Sequence, residues 1–133
     1  MENIVIDVQN ISKIYNNFFD GIEIIALEAL SLQVQENTFT LLTGSNGIGK
    51  TTLMNILAGL IQPTSGNGKI FDINIKKFDN KQIIGYAPDL QPKIPNISIS
   101  DFFTVLSSIR KTEKEKWLGL VKLFQMEKLL MNG

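Results

Sequence analysis

The 133-residue sequence contains no cysteine and no histidine. The first absence excludes disulfides and thiolate chemistry, and the two together remove the sulfur and imidazole ligands that zinc sites ordinarily use. Excess charge of one sign is lacking too, since 13 lysines and arginines balance 13 aspartates and glutamates. A neutral chain has no overall field to recruit nucleic acid, anionic lipid or acidic substrates, so any basic role has to be local. No stretch approaches the ~20 apolar residues that a membrane helix needs. The opening Met1-Glu2-Asn3-Ile4-Val5 has no basic leader followed by an apolar run, which argues against a secretory signal. Internal repeats and low-complexity tracts are missing as well. The lysines between Lys111 and Lys116 alternate with Glu113 and Glu115 and read as a solvated helix face rather than a nucleic-acid patch.

What is present is ordinary for a soluble globular protein: 44% hydrophobic and 20% charged residues, enough to bury a core. Ile4–Val8 is short and β-branched, and Gly21–Val34 holds two apolar stretches around Glu28, which predicts strands joined by turns, with a turn at Tyr15-Asn16-Asn17. Thr38–Thr43 is a compact β-favouring run ended by Gly44, so a buried strand is expected there. Leu53, Ile56, Leu57 and Leu60 share a helical face, and Pro63 is expected to close that helix. Thr64–Gly68 carries turn residues. Lys69–Phe71 and Ile73–Ile75 predict a small hairpin, and Ile83–Ala87 a further strand. Three prolines between Pro88 and Pro95 predict an extended loop. Ser98 with Asp101, and Thr112 with Glu115, form capping patterns for two amphipathic helices, one ending near Arg110-Lys111 and the other presenting Trp117, Leu120, Val121 and Phe124 on one face.

One motif carries chemistry. Gly44-Ser45-Asn46-Gly47-Ile48-Gly49-Lys50-Thr51 matches G-x-x-x-x-G-K-[ST] and lies between a predicted strand and a predicted helix. Glycines let successive main-chain N–H groups converge on phosphate oxygens, and the helix after the loop adds its positive end. Lys50 can reach the β- and γ-phosphates of a nucleoside triphosphate, the Thr51 hydroxyl is suited to Mg²⁺, and Thr52 can hydrogen-bond nearby phosphate oxygens. A glycine-rich turn before a solvent-facing lysine explains these residues singly but not their joint spacing.

With Asn46 and Thr52 included, the loop resembles the Walker A motif of ATP-binding cassette (ABC) domains. Ser12-Lys13-Ile14-Tyr15 is similar to that family's aromatic loop, which implies adenine stacking by Tyr15. Without the resemblance, a tyrosine after a strand is a packing residue. Ala58–Gly66 resembles the family's helix exit, and Ile84–Pro88 its approach to the glutamine loop, where Asp89 stands in place of the usual glutamine or the glutamate of many exporters. The carboxylate remains a hard oxygen ligand, which keeps metal contact by Asp89 open. The resemblance implies an α/β fold: a P-loop NTPase-like ABC ATPase core, truncated, with an N-terminal antiparallel β subdomain. Residues 1–97 would hold the β subdomain, phosphate loop and glutamine-loop region, and residues 98–133 the start of the α-helical subdomain.

The same resemblance implies ATP and Mg²⁺ as ligands. The expected phosphate-site residues are Gly44, Ser45, Asn46, Gly47, Ile48, Gly49, Lys50, Thr51 and Thr52, with Tyr15 for the base and Thr51 and Asp89 for the metal. It implies a transmembrane permease subunit and a second ABC ATPase subunit as partners, a cytoplasmic location against the inner face of the cell membrane, and work in an exporter; no nucleic-acid partner is expected. No L-S-G-G-Q-like signature, no apolar strand ending in Asp-Glu and no histidine occur. The expectation is therefore an N-terminal fragment without catalytic residues of its own, an ATPase in full-length form only. Two other readings stay open: a soluble ABC protein of translation or DNA repair, and a catalytically inactive nucleotide-binding module.

Overall fold

The computed structural model describes residues 3–17, 21–77, 83–88, 98–110 and 114–130. They fall into two compact units, Met1–Ala87 and Pro88–Gly133. The first holds strands β1 (Ile4–Asn16) and β2 (Glu23–Gln35), helix α1 (Lys50–Leu57), and strands β3 (Ser65–Ile70) and β4 (Ile73–Asn74). All neighbouring strands are antiparallel, in the order β2-β1-β3-β4.

The β1–β2 ribbon departs from simple alternation in a way that makes the core. Val8 and Ile11 are both buried although three residues apart, and Leu27 and Leu30 both join the same cluster. A regular strand would send such pairs to opposite faces. Asn10 and Ala29 lie in the left-handed region, at φ 50° and 44°, and the register shifts between Val8 and Ile11 and between Ile11 and Lys13. Each extra residue rotates the strand so that the next apolar side chain returns to the core. Two serines stabilise the irregularity reciprocally: the Asn10 N–H donates to Ser31 Oγ and the Ala29 N–H to Ser12 Oγ, each at 2.9 Å.

Helix α1 completes the core with Leu53 and Ile56, which pack with Val8, Ile11, Leu27, Ile70 and Ile75. Full burial of each such side chain contributes about 1.5–3 kcal/mol. The helix does not run to Pro63 as expected. Gly59, at φ 70°, ends it, with the Gly59 N–H bonded to the Ile56 carbonyl and the Leu60 N–H to the Asn55 carbonyl. Leu60 therefore lies beyond the helical face and is exposed.

Other expectations need correction. Within Gly21–Val34 the two expected strands are one irregular strand that begins at Glu23. Tyr15 and Asn16 belong to β1 and pair with Ile24 and Glu23. Thr64–Gly68 is largely β3, because Gly68 and Gly66 permit a close strand approach: a Cβ on Gly66 would overlap the Asn10 carbonyl and lie 2.7 Å from the Ile11 nitrogen. The hairpin forms as expected, with Phe71 and Asp72 both at positive φ in the two-residue turn that joins β3 to β4. Thr38–Thr43 is neither a strand nor buried, and Ile83–Ala87 is not a strand. Both runs have β-favouring side chains, but a strand exists only where a neighbour accepts its main-chain hydrogen bonds.

The second unit contains α2 (Ile99–Arg110), α3 (Lys114–Leu123) and α4 (Glu127–Leu130). The capping pattern at its start is formed, with the Asp101 N–H donating to Ser98 Oγ at 3.1 Å and the Ser98 hydroxyl to the Asp101 carboxylate at 2.8 Å. The Thr112 part of the second pattern lies outside the described residues. Phe103 stacks on Trp117 with centroids 4.9 Å apart. Trp117 and Val121 are buried, whereas Leu120 and Phe124, placed on the same face by spacing, are exposed.

The contrast between two glycines is testable. Gly66→Ala should destabilise the chain by about 2 kcal/mol or more, because a new Cβ meets backbone that cannot move. Gly59→Ala, which meets nothing within 4 Å, should cost only the left-handed backbone penalty of about 1 kcal/mol. Urea titrations followed by circular dichroism measure both, and equal losses would mean that the β1–β3 approach is not tight.

Candidate functional site

The G-x-x-x-x-G-K-T segment folds as a loop, Gly44–Gly49, closing onto the first turn of α1. Gly49 is the N-cap residue at φ 96°, and no side chain caps the helix. No acidic residue occupies the first turn either. The unpaired N–H groups of a helix head and the positive end of its dipole are thus left for an external anion rather than satisfied internally.

Lys50 lies across this loop. Its ammonium donates to the carbonyl oxygens of Gly44 and Ser45, both at 2.7 Å. An ammonium has three protons, so these bonds tie the loop into a ring and leave one proton for a ligand. The next residue, Thr51, is exposed in the first helical turn, and Thr52 is partly buried beside it. Ser45, Asn46, Gly47 and Ile48 are exposed around the loop. From Gly44 to Thr52 the expected phosphate-site residues therefore come together on one short segment.

What seats the loop is a contact that spacing in the sequence does not announce. A Cβ on Gly49 would overlap the Ala26 carbonyl oxygen and stand 2.7 Å from Leu27 Cδ2. The head of α1 is therefore pressed directly on β2. Between that strand and the loop lies a cavity of about 410 Å³, lined by Ile25, Ala26, Leu27, Glu28 and Leu30 on one side and by Gly47 and Ile48 on the other. None of the β2 residues carries a motif, and only the register of a distant strand brings them here.

Tyr15 lies on β1 opposite Ile24, the neighbour of the cavity-lining Ile25. The residue is 41% exposed, and the Lys13 ammonium lies 5.1 Å from its ring centroid. Tyr15 itself is not among the residues that line the cavity. Asp89 lies outside the described residues. Among the described residues no group of three or more acidic side chains could hold a metal ion. Thr51, exposed in the first helical turn, offers a hydroxyl oxygen, a hard donor that suits Mg²⁺.

A second link ties α1 to the chain beyond the β3–β4 hairpin. The Tyr86 hydroxyl donates to Asn55 Oδ1 at 2.8 Å, on the helix that begins with Lys50. Sequence reasoning placed Tyr86 in a strand and gave Asn55 no role.

Antiparallel sheet, phosphate-type loop and helix define a P-loop nucleotide-binding class of protein. The ABC transporter family matches residues 27–132, and the chain belongs to that family. Relatives include the cholesterol transporter ABCA5 of Homo sapiens, 32% identical over 109 residues, 79% of this chain and 6% of that protein. An uncharacterised ABC transporter ATP-binding protein of Synechocystis, sll0415, is 37% identical over 101 residues, 75% of this chain and 27% of that protein. The macrolide export ATP-binding/permease protein MacB of Syntrophobacter fumaroxidans is 35% identical across 74% of this chain and 12% of its own length. In three dimensions the chain is similar to the ATP-binding cassette MJ0796 in a dimeric post-hydrolysis state bound to ADP and Pi. The TM-score is 0.67 at 25% identity, over 79% of this chain and 47% of that one. The chain thus spans less than half of the cassette and a smaller share of the curated relatives. Its fold is that of a partial ABC ATPase core, as the resemblance implied.

Gly49→Ala isolates the contact on β2. It should lower the melting temperature by several degrees, since it combines a backbone penalty with displacement of a packed carbonyl, together worth about 2–4 kcal/mol. Gly47→Ala, with nothing within 4 Å of the new Cβ, should cost clearly less. Differential scanning calorimetry of the two variants makes the comparison, and the reverse order would place the seat of the loop elsewhere.

Proposed function

We propose that this chain supplies the MgATP-binding portion of the ATP-binding subunit of an ABC transporter. The observation that carries this reading is the Lys50 ammonium bonded to the Gly44 and Ser45 carbonyls at the head of a helix that no side chain caps. Main-chain N–H groups of the loop and helix head take the phosphate oxygens, Lys50 holds the β- and γ-phosphates with its remaining proton, and Thr52 adds a hydroxyl. Thr51 provides the protein oxygen for Mg²⁺, with Asp89 as a second candidate ligand. The ion, when bound, offsets phosphate charge and fixes the polyphosphate in one conformation. Tyr15 offers its flat face to the adenine, supported by its exposure and its place beside the strand that lines the cavity.

The whole protein would couple this site to a transmembrane permease subunit and work with a second ABC ATPase subunit, at the inner face of the cell membrane. The export function in MacB's name supports the exporter reading, as does the acidic Asp89. No helix among the described residues is long and apolar enough to cross a membrane, so the membrane path falls to another segment or subunit. Residues 1–133 contain no signature-like sequence, no Asp-Glu strand end and no histidine. Phosphoryl transfer needs a group that orients the attacking water as well as one that holds the phosphates. On this reading the 133-residue polypeptide binds nucleotide without turning it over, and its phosphate release should equal that of its Lys50→Ala variant.

Lys50→Ala should weaken ATP binding roughly ten- to a hundredfold, the equivalent of one charge-assisted contact of about 1.5–3 kcal/mol. Titration with a fluorescent ATP analogue measures this, and unchanged affinity would remove the site from the loop. Tyr15→Ala should cost about 1–3 kcal/mol of ATP binding but leave tripolyphosphate binding unchanged, whereas Tyr15→Phe should be mild. Equal loss for both ligands would make Tyr15 a packing residue.

A further inference from the structure

In an asparagine-glycine pair the glycine nitrogen can attack the asparagine side chain with little hindrance, because glycine has no Cβ to shield it. The sequence holds three such pairs, Asn46-Gly47, Asn67-Gly68 and Asn132-Gly133, of which the last lies outside the described residues. The other two place the same chemistry in opposite settings. Asn46 and Gly47 are both exposed, and a Cβ added to Gly47, at φ 82°, would meet nothing within 4 Å. Among the described residues, neither the Asn46 side chain nor the Gly47 N–H is hydrogen-bonded. Asn67-Gly68, by contrast, lies in β3 with a paired strand on each side. Gly68 is buried and pressed on Val8, whose Cγ1 would stand 2.6 Å from an added Cβ. The Gly68 carbonyl accepts from the Ile75 N–H at 3.1 Å, and Asn67 Oδ1 accepts from the Lys76 ammonium at 3.3 Å.

We propose that Asn46-Gly47 is a self-modification site: in the empty loop the pair converts through a cyclic imide to aspartate and isoaspartate, and a bound nucleotide protects it. The Gly47 nitrogen gives its proton to hydroxide and attacks Asn46 Cγ. The new N–Cγ bond closes a five-membered ring, the Cγ–Nδ2 bond breaks, and the side-chain nitrogen takes a proton from water and leaves as ammonia. Water then adds to one of the two ring carbonyls and opens the ring. Opening at Cγ gives aspartate; opening at the main-chain carbonyl gives isoaspartate, with the backbone rerouted through Cβ. No oxidant or reductant is needed. The surroundings favour the anions on this path. The Lys50 ammonium is held on the carbonyl of Ser45, the residue before the pair, and the uncapped head of α1 adds positive potential.

The consequence rests on the reading that this loop grips phosphates. Either product places a carboxylate among main-chain N–H groups that would otherwise receive an anion, and isoaspartate also lengthens the loop backbone. A ligand whose phosphates engage those N–H groups holds the Gly47 nitrogen in place and keeps its proton on it, so occupied loops are spared and empty ones are lost.

Peptide mapping by mass spectrometry, after incubation of the folded 133-residue chain at neutral and mildly alkaline pH, measures the conversion at each pair. Asn46 should convert at least roughly tenfold faster than Asn67, whose pair must first leave the sheet, and the rate should rise with pH. In urea the two should convert at similar rates. Gly47→Ala should slow conversion at Asn46 and leave Asn67 unchanged, since a methyl group then shields the nitrogen. Saturating MgATP or tripolyphosphate should slow Asn46 alone. Asn46→Asp should weaken binding of a fluorescent ATP analogue at least roughly tenfold, through repulsion between like charges a few ångströms apart. Conversion at Asn46 no faster than at Asn67, a difference that persists in urea, or no effect of Gly47→Ala would each overturn the site. Conversion undiminished by MgATP, in a chain whose ATP binding is lost in Lys50→Ala, would overturn the protection, and unchanged affinity in Asn46→Asp would overturn the consequence. Selective conversion at Asn46 in a chain that binds no ATP would instead overturn the functional reading and uphold the modification site.

Discussion

The first unit depends on how closely the head of α1 approaches β2. Because Gly49 has no side chain, the helix head rests on the Ala26 carbonyl and the Leu27 side chain, with no layer between them. That contact fixes where the helix N-terminus points and therefore where an anion would sit. It also places Leu53 and Ile56 into the cluster formed by Val8, Ile11 and Leu27. Core and loop are in this sense one construction, since the packing that stabilises the helix also sets the direction of its exposed N–H groups.

The approach is possible because the β1–β2 ribbon is bent. Asn10 and Ala29 each take the left-handed conformation opposite the other strand's serine, and each N–H that the bulge would orphan is taken by a hydroxyl. The arrangement has a local two-fold character, with Ile11 paired to Leu30 at its middle. Gly66 then lets β3 pass against the Asn10 carbonyl on the outer side of the same bulge. A side chain at Gly66, or a lost hydroxyl at Ser12 or Ser31, would act on the loop through this frame without touching it.

The loop itself is tied to the helix that follows it. Lys50 is committed by two hydrogen bonds to loop carbonyls, which hold its long side chain against the loop. Tyr86, bonded to Asn55, ties the same helix to the chain beyond the β3–β4 hairpin.

The loop at Gly44–Gly49 and the helix after it were readable because a glycine-rich turn and a helix start need particular residue types at fixed local spacing, and the bonds from Lys50 to Gly44 and Ser45 are short-range. The Ser98–Asp101 cap and the β3–β4 hairpin were readable for the same reason. Strand identity at Thr38–Thr43 and Ile83–Ala87 was misjudged, since β-favouring side chains report fitness for a sheet and not the presence of a neighbour. The bulges at Asn10 and Ala29, the stop at Gly59 and the lining of the cavity by Ile25–Leu30 were invisible to local pattern. Each of them depends on a backbone group from another strand or turn. The amino-acid sequence by itself determined which chemistry the chain can present; only the tertiary structure decided what seats that chemistry, because close approach of distant backbones is a property of register, which no local spacing encodes.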